Sequence, residues 1–141
     1  MTAADDAAIR SLLARIAQYA DTCEDLDDYL ALFTEDAVWG MPDNPALGIA
    51  ANQKHGHAEI RSGVEERRAG GIQGPGTRTR HVLTTIAVDV ESSDRATSRS
   101  YFMFLDSTTT PPMIRSAGQY DDVLQRDERG WRLARRDITI D

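Results

Sequence analysis

"TRTRHVLTTIAVDV", residues 77–90, decides how this chain is read. A charged, glycine-flanked loop gives way at His81 to a run of β-branched residues, the composition of a strand. Three stretches of the same kind follow: "RATSRSYFMFLD" (95–106), "MIRSAGQYDDVLQRD" (113–127) and "GWRLARRDITID" (130–141). The turn-forming segments "ESSD", "STTTPP" and "DERG" separate them, so four antiparallel strands are expected.

Upstream the period changes from strand to helix. Over residues 4–20, Ile9, Leu12, Leu13, Ile16, Ala17 and Ala20 form one apolar stripe, with Asp5 and Asp6 at the positive end of the helix dipole. "DLDDYLALF" (25–33) reads as a short helix with Leu26, Tyr29, Leu30 and Phe33 on one face and Asp25 as its cap. "TEDAVWGM" (34–41) reads as a turn and a short strand. Residues 42–56, punctuated by proline, glycine and asparagine, read as a loop. "HAEIRSGVEERRAGG" (57–71) predicts a third helix closed by Gly70 and Gly71, and "IQGPGTRTR" (72–80) another loop. Helices first and strands afterwards give an α+β architecture: a strongly curved antiparallel sheet wrapped around three N-terminal helices in one domain, 1–141. A cavity between such layers is a natural small-molecule site.

Composition narrows the partners. The net charge of −7 argues against nonspecific binding to nucleic acid or to an anionic membrane surface, both of which reward basic proteins. No apolar run reaches membrane-spanning length and the N-terminus lacks signal-peptide character, so a cytoplasmic location is expected. The single cysteine, Cys23, has no internal disulfide partner, and the neighbouring Glu24 and Asp25 oppose a thiolate.

Two ionisable residues stand where the cavity is expected. Asp21 lies just past Ala20, where the apolar stripe ends, and His81 begins the first long strand. If that strand crosses the helix end, the carboxylate can fix the imidazole tautomer while the other ring nitrogen exchanges a proton. The alternative is a structural histidine bonded to backbone, with Asp21 capping a helix or loop. Tyr19, Trp39, Tyr101 and Met113 are the candidate substrate-contacting side chains, Tyr29 is a further candidate cavity or core aromatic, and Met41 and Phe102 shape the same cavity. A tyrosine hydroxyl could polarise a substrate carbonyl, although core packing is the plainer role for each aromatic. His55 and His57 make an HxH pair that could hold a metal with His81, but their place at a helix start favours capping, and no metal is expected. Asp121 and Asp122 point to opposite faces by alternation, and "RLARR" (132–136) reads as a basic patch paired with acids on a solvated face. "GIQGPG" lacks the strand–turn–helix context of a phosphate loop, and no dinucleotide fingerprint or nucleophile elbow is present.

The order of "IRSLLARIAQYADTCEDLDDYLALFTEDAVW", "GHAEI", "TRHVLTTIAVDV", "ATSRSYFMFLD" and "AGQYDDVLQRDERGWRLARRDITID" resembles the SnoaL-like branch of the nuclear-transport-factor-2-like superfamily over nearly the whole chain. Within it, the pattern is most similar to the scytalone dehydratase and bile acid dehydratase group, with hexachlorocyclohexane dehydrochlorinase a further relative. The resemblance implies a cone-shaped α+β barrel and a catalytic pair formed by His81 in "TRH" and Asp21 in "YAD". Ala20, not Tyr19, directly precedes the aspartate, and "SYFMFL" carries no second histidine. The expected function is that of a lyase or isomerase with no cofactor, acting on a small apolar cyclic molecule, with Tyr19 or Tyr101 holding the substrate oxygen. The alternative is a noncatalytic ligand-binding module or the small subunit of a ring-hydroxylating dioxygenase. An epoxide-hydrolase arrangement using Arg99 and Asp121 ranks third. Apolar residues on both faces of the strands suggest a homodimer, and the resemblance to scytalone dehydratase a homotrimer.

Overall fold

The apolar stripe of the first helix and the alternating strands close on each other through one core. In the computed structural model, which describes residues 2–45, 50–109 and 111–141, helix α1 spans Ala3–Thr22 and α2 spans Leu26–Leu30. Strands β1 (Phe33–Met41) and β2 (Asn52–His55) precede helix α3 (Gly56–Ala69). Strands β3 (Arg80–Val90), β4 (Arg95–Ser107), β5 (Met113–Asp127) and β6 (Gly130–Ile140) follow. Thr2 caps α1 by accepting from the Asp5 amide, and Asp25 caps α2 by accepting from the Asp27 amide.

Six strands form one curved, unclosed sheet in the order β2-β1-β6-β5-β4-β3. The last four pair antiparallel as expected, while β1 joins β6 in parallel. Two expectations are corrected. Residues 52–55, read as loop, form β2, because Asn52–His55 pairs with the Val38–Met41 segment of β1. The second helix stops at Leu30, and Phe33 instead opens β1, where it still reaches the core. The remainder of the expected 42–56 loop includes residues 46–49, and the turn at 107–112 includes residue 110; both lie outside the described residues.

The core holds Ile9, Leu12, Leu13, Ile16 and Ala20 of α1, with Tyr29, Phe33, Leu124, Trp131 and Leu133 against them. Gly118 on β5 permits close approach of β6: a Cβ there would overlap the Thr139 carbonyl oxygen.

Two β-bulges decide which residues face inward. From Thr84 to Ala87, β3 advances one residue more than its partner β4, with Thr85 at φ 54°. Each bulge therefore switches the inward face from one parity to the other. On β3, His81 and Leu83 line the interior cavity before the bulge, while Ile86, Val88 and Val90 pack on the core after it. On β6 the extra residue is Ala134: Trp131 and Leu133 enter the core, then Arg136, Ile138 and Ile140 line the cavity.

Candidate active site

A cavity of about 150 Å³ lies between α1, the end of α3 and the concave sheet. Ile16, Ala17, Ala20, Leu83, Phe102, Phe104, Ile138 and Ile140 supply most of its wall, and Trp39 and Met41 of β1 close another side. The polar residues His81, Tyr29, Tyr120, Arg67, Gln73, Ser116 and Arg136 also line it.

The end of α1 meets the start of β3 through one carboxylate. Asp21, only 3 % exposed, accepts from the His81 backbone N–H through Oδ2 at 3.0 Å. Its Oδ1 lies 2.7 Å from His81 Nδ1. The backbone contact sets Asp21 in register with the strand, and the ring contact orients the imidazole. With Oδ1 as acceptor, Nδ1 carries a proton, so the neutral ring has its lone pair on Nε2; no protein group hydrogen-bonds Nε2 among the described residues. Phe104, cross-strand neighbour of His81, packs against the ring at a centroid distance of 4.7 Å. Arg68 of α3 fixes the helix end that carries Asp21: its guanidinium donates to the carbonyls of Tyr19, Ala20 and Cys23. A cation there also suits the negative end of α1, whose last turn holds no basic residue.

A second ionic pair forms the floor. Arg136, 2 % exposed, binds Asp122 through two parallel hydrogen bonds of 2.8 Å. Its guanidinium stacks 3.9 Å from the Tyr120 ring centroid and 5.3 Å from that of Trp39. Burial by itself would make Arg136 easier to deprotonate, but the Asp122 carboxylate more than offsets this and raises its pKa. Burial pushes the Tyr120 phenol up to about 12, with partial relief from Arg136, so Tyr120 is a neutral hydrogen-bond donor at ordinary pH. Burial likewise raises the Tyr29 phenol.

The structure does not bring all the sequence candidates together. Asp21 meets His81, and His81, Trp39, Met41 and Phe102 line the cavity. Tyr101 is a correction: it is 50 % exposed, because strand alternation turns it away from the cavity faced by Phe102 and Phe104. Met113 is another, 57 % exposed at the start of β5. Tyr19 packs half-buried against the core and does not line the cavity. Tyr29 and Tyr120 line the cavity. Arg136 corrects the reading of 132–136 as a wholly solvated patch. Asp121 and Asp122 do face opposite ways, and Arg99 binds Asp121 at 2.7 Å in an exposed pair outside the cavity. His55 caps α3 without a side-chain bond, and His57 Nε2 donates to the Phe33 carbonyl at 3.2 Å. Among the described residues no three His, Cys, Asp or Glu side chains converge as a metal site, and no helix is long and apolar enough to cross a membrane.

Sequence reasoning missed Tyr120, Arg67, Gln73 and the Arg136–Asp122 pair. The usable signal for Tyr120 and Asp122 was β5 alternation, which places both on the face of Leu124. Arg136 had no comparable signal, since the β6 bulge breaks its alternation.

Comparison with known proteins agrees with this architecture. A protein of unknown function from Mycobacterium tuberculosis superposes with a TM-score of 0.81 at 23 % identity, covering 99 % of this chain and 78 % of that one. A Novosphingobium aromaticivorans protein provisionally described as an aromatic ring hydroxylase gives 0.73 at 28 % identity, with 99 % and 91 % coverage. Another from that organism, provisionally described as a scytalone dehydratase, gives 0.75 at 22 %, with 98 % and 85 % coverage. The first and third likenesses are of fold alone. No curated protein sequence matches. The SnoaL-like domain family matches residues 1–137, and the chain belongs to that family.

Proposed function

We propose that the protein is a lyase or isomerase, dehydratase-like in its chemistry, that moves a proton on a small cyclic substrate through His81 and Asp21. The observation that carries this reading is the 2.7 Å contact between His81 Nδ1 and Asp21, with His81 lining an apolar cavity and Nε2 bonded to no described protein group. His81 Nε2 takes the proton from carbon next to a carbonyl. Asp21 stabilises the imidazolium so formed, in surroundings where a buried ionic contact is stronger than in water. A phenol, Tyr120 or Tyr29, donates to the substrate oxygen as negative charge gathers there. The imidazolium then returns the proton, to a departing hydroxide as water in a dehydration or to another carbon in an isomerisation. Acid–base catalysis of this kind contributes about 10²–10⁴-fold, and orientation in the cavity supplies the rest.

The test is proton exchange. Cyclic ketones and β-hydroxy ketones of one or two rings are incubated with the protein in D₂O and followed by NMR for deuterium uptake next to the carbonyl and for loss of water. Wild-type protein is expected to catalyse one of these on at least one compound, and His81→Gln to slow it by about 10² or more. Equal rates for the two proteins, or no exchange across the panel, overturn the reading.

A further inference from the structure

Helix α3 carries three arginines near its packed faces, and two of them have protein partners, although the Nε of Arg68 is buried without one. Arg61 pairs with Asp27 and Glu65, and Arg68 donates to three carbonyls at the end of α1. Arg67 differs. It lines the cavity, yet it makes no ion pair and donates no hydrogen bond to any described residue. Burial lowers its pKa from the ordinary arginine value. Arg67 is half-buried, and a cation drawn partly out of water without a carboxylate is costly to the fold.

Gln73 lines the same cavity as a second unpartnered group. It is 5 % exposed and has no hydrogen-bond partner for its amide among the described residues. The loop that carries it is anchored to the end of α3 by the hydrogen bond from the Ile72 amide to the Arg67 carbonyl. Gly71, at φ 70°, makes the turn that brings Gln73 back over the cavity. A planar fork of donors and an amide N–H₂, both unpartnered and both on residues lining one apolar chamber, match the two oxygens of a carboxylate. The remaining wall is hydrocarbon, and a dry apolar cavity of about this volume accommodates a single benzene-sized ring.

We propose that Arg67 and Gln73 form a carboxylate-binding subsite, so that the compound handled at His81 is a one-ring carboxylic acid bound as its anion. The substrate class rests on the catalytic reading above; the subsite itself does not. The carboxylate would neutralise Arg67 and hold the ring against Phe102 and Phe104, with the reacting carbon toward His81.

The probes are benzoate and its neutral near-isostere benzamide, titrated into wild-type protein and followed by ligand-detected NMR and calorimetry. Wild type is expected to bind benzoate about tenfold or more tightly than benzamide. Arg67→Leu is expected to abolish that preference and raise Tm, because it removes an uncompensated charge, whereas Arg67→Lys keeps a preference for the anion. If Arg67→Leu does not fold, Arg67→Gln takes its place with the same expected loss. Equal affinities for the two probes in wild type, or an undiminished benzoate preference without the Arg67 charge, overturn the subsite. Benzoate binding that depends on Arg67 together with exchange indifferent to His81→Gln leaves the subsite standing and sinks the catalytic reading. The opposite pair of results does the reverse.

Discussion

Replacing Asp21 by asparagine changes one atom's hydrogen-bonding sense at the centre of the site. In the native arrangement both carboxylate oxygens accept, one from the His81 backbone N–H at 3.0 Å and one from Nδ1 at 2.7 Å. Asparagine offers one acceptor and one donor. The backbone N–H can only donate, so the amide oxygen is held there and the NH₂ faces Nδ1. Nδ1 must then accept, which moves the ring proton to Nε2. The imidazole would present the cavity with a donor where proton abstraction needs a lone pair. The flipped amide is worse, since NH₂ would oppose N–H. A charge-assisted bond of this type contributes about 1.5–3 kcal/mol, and its conversion to a neutral one should cost roughly 1–2 kcal/mol, a fall in Tm of roughly 3–10 °C. Activity should fall far more: tautomer reversal by the equivalent substitution in a Ser-His-Asp triad costs about 10⁴ in kcat. Imidazole ¹⁵N NMR measures the cause without a substrate. The wild-type His81 spectrum should show the neutral ring protonated on Nδ1, and Asp21→Asn should show it protonated on Nε2. A wild-type ring already protonated on Nε2, or a tautomer unmoved by Asp21→Asn, refutes the reasoning.

Further predictions concern the supports of the site. Asp122→Asn leaves the Arg136 charge buried without its bidentate partner and should cost about 3–5 kcal/mol in urea unfolding, while the double variant Asp122→Leu with Arg136→Met should cost less than that single change; the opposite order would contradict the pair's role. Gly118→Ala forces a methyl against the Thr139 carbonyl and should lower Tm by roughly 5 °C or more, with unchanged stability as the contrary result. Thr85→Asn should stabilise by about 0.5–1 kcal/mol, because asparagine tolerates a φ of 54° better than a β-branched residue; a loss in chemical denaturation would speak against strain at the bulge. Tyr120 keeps its proton to about pH 12 in the folded protein, whereas an unfolded tyrosine ionises near its ordinary value of 10. The folded state therefore holds more protons between these values, so the contribution is fully present below pH 10 and is lost as pH rises toward 12. Stability measured over that window together with tyrosinate absorbance should show the decline, and a phenol titrating normally before unfolding would negate it.

Sequence by itself determined the element order and most of the core. The stripe from Ile9 to Ala20 is buried in α1, Asp25 caps α2, and four segments rich in β-branched and aromatic residues became β3 to β6. These features are local: helical period, capping chemistry and strand composition act over a few residues and need no distant partner. It also marked Asp21 and His81, though their meeting depends on α1 packing across β3.

Tertiary structure decided which side chains enter the cavity. Regular alternation along residues 81–90 would put Val82, Ile86, Val88 and Val90 on one face and expel His81 to the other. The extra residue at Thr85 lets His81 and the later apolar residues share the interior. The bulge at Ala134 does the same for Leu133 and Arg136, and so turns a stretch that reads as a solvated basic patch into the floor of the site. A one-residue slip reverses every later side chain, and the slip is fixed by pairing with strands whose residues lie far away in the chain. Isolated β-strand sequence carries the two-residue period but not the place where it breaks.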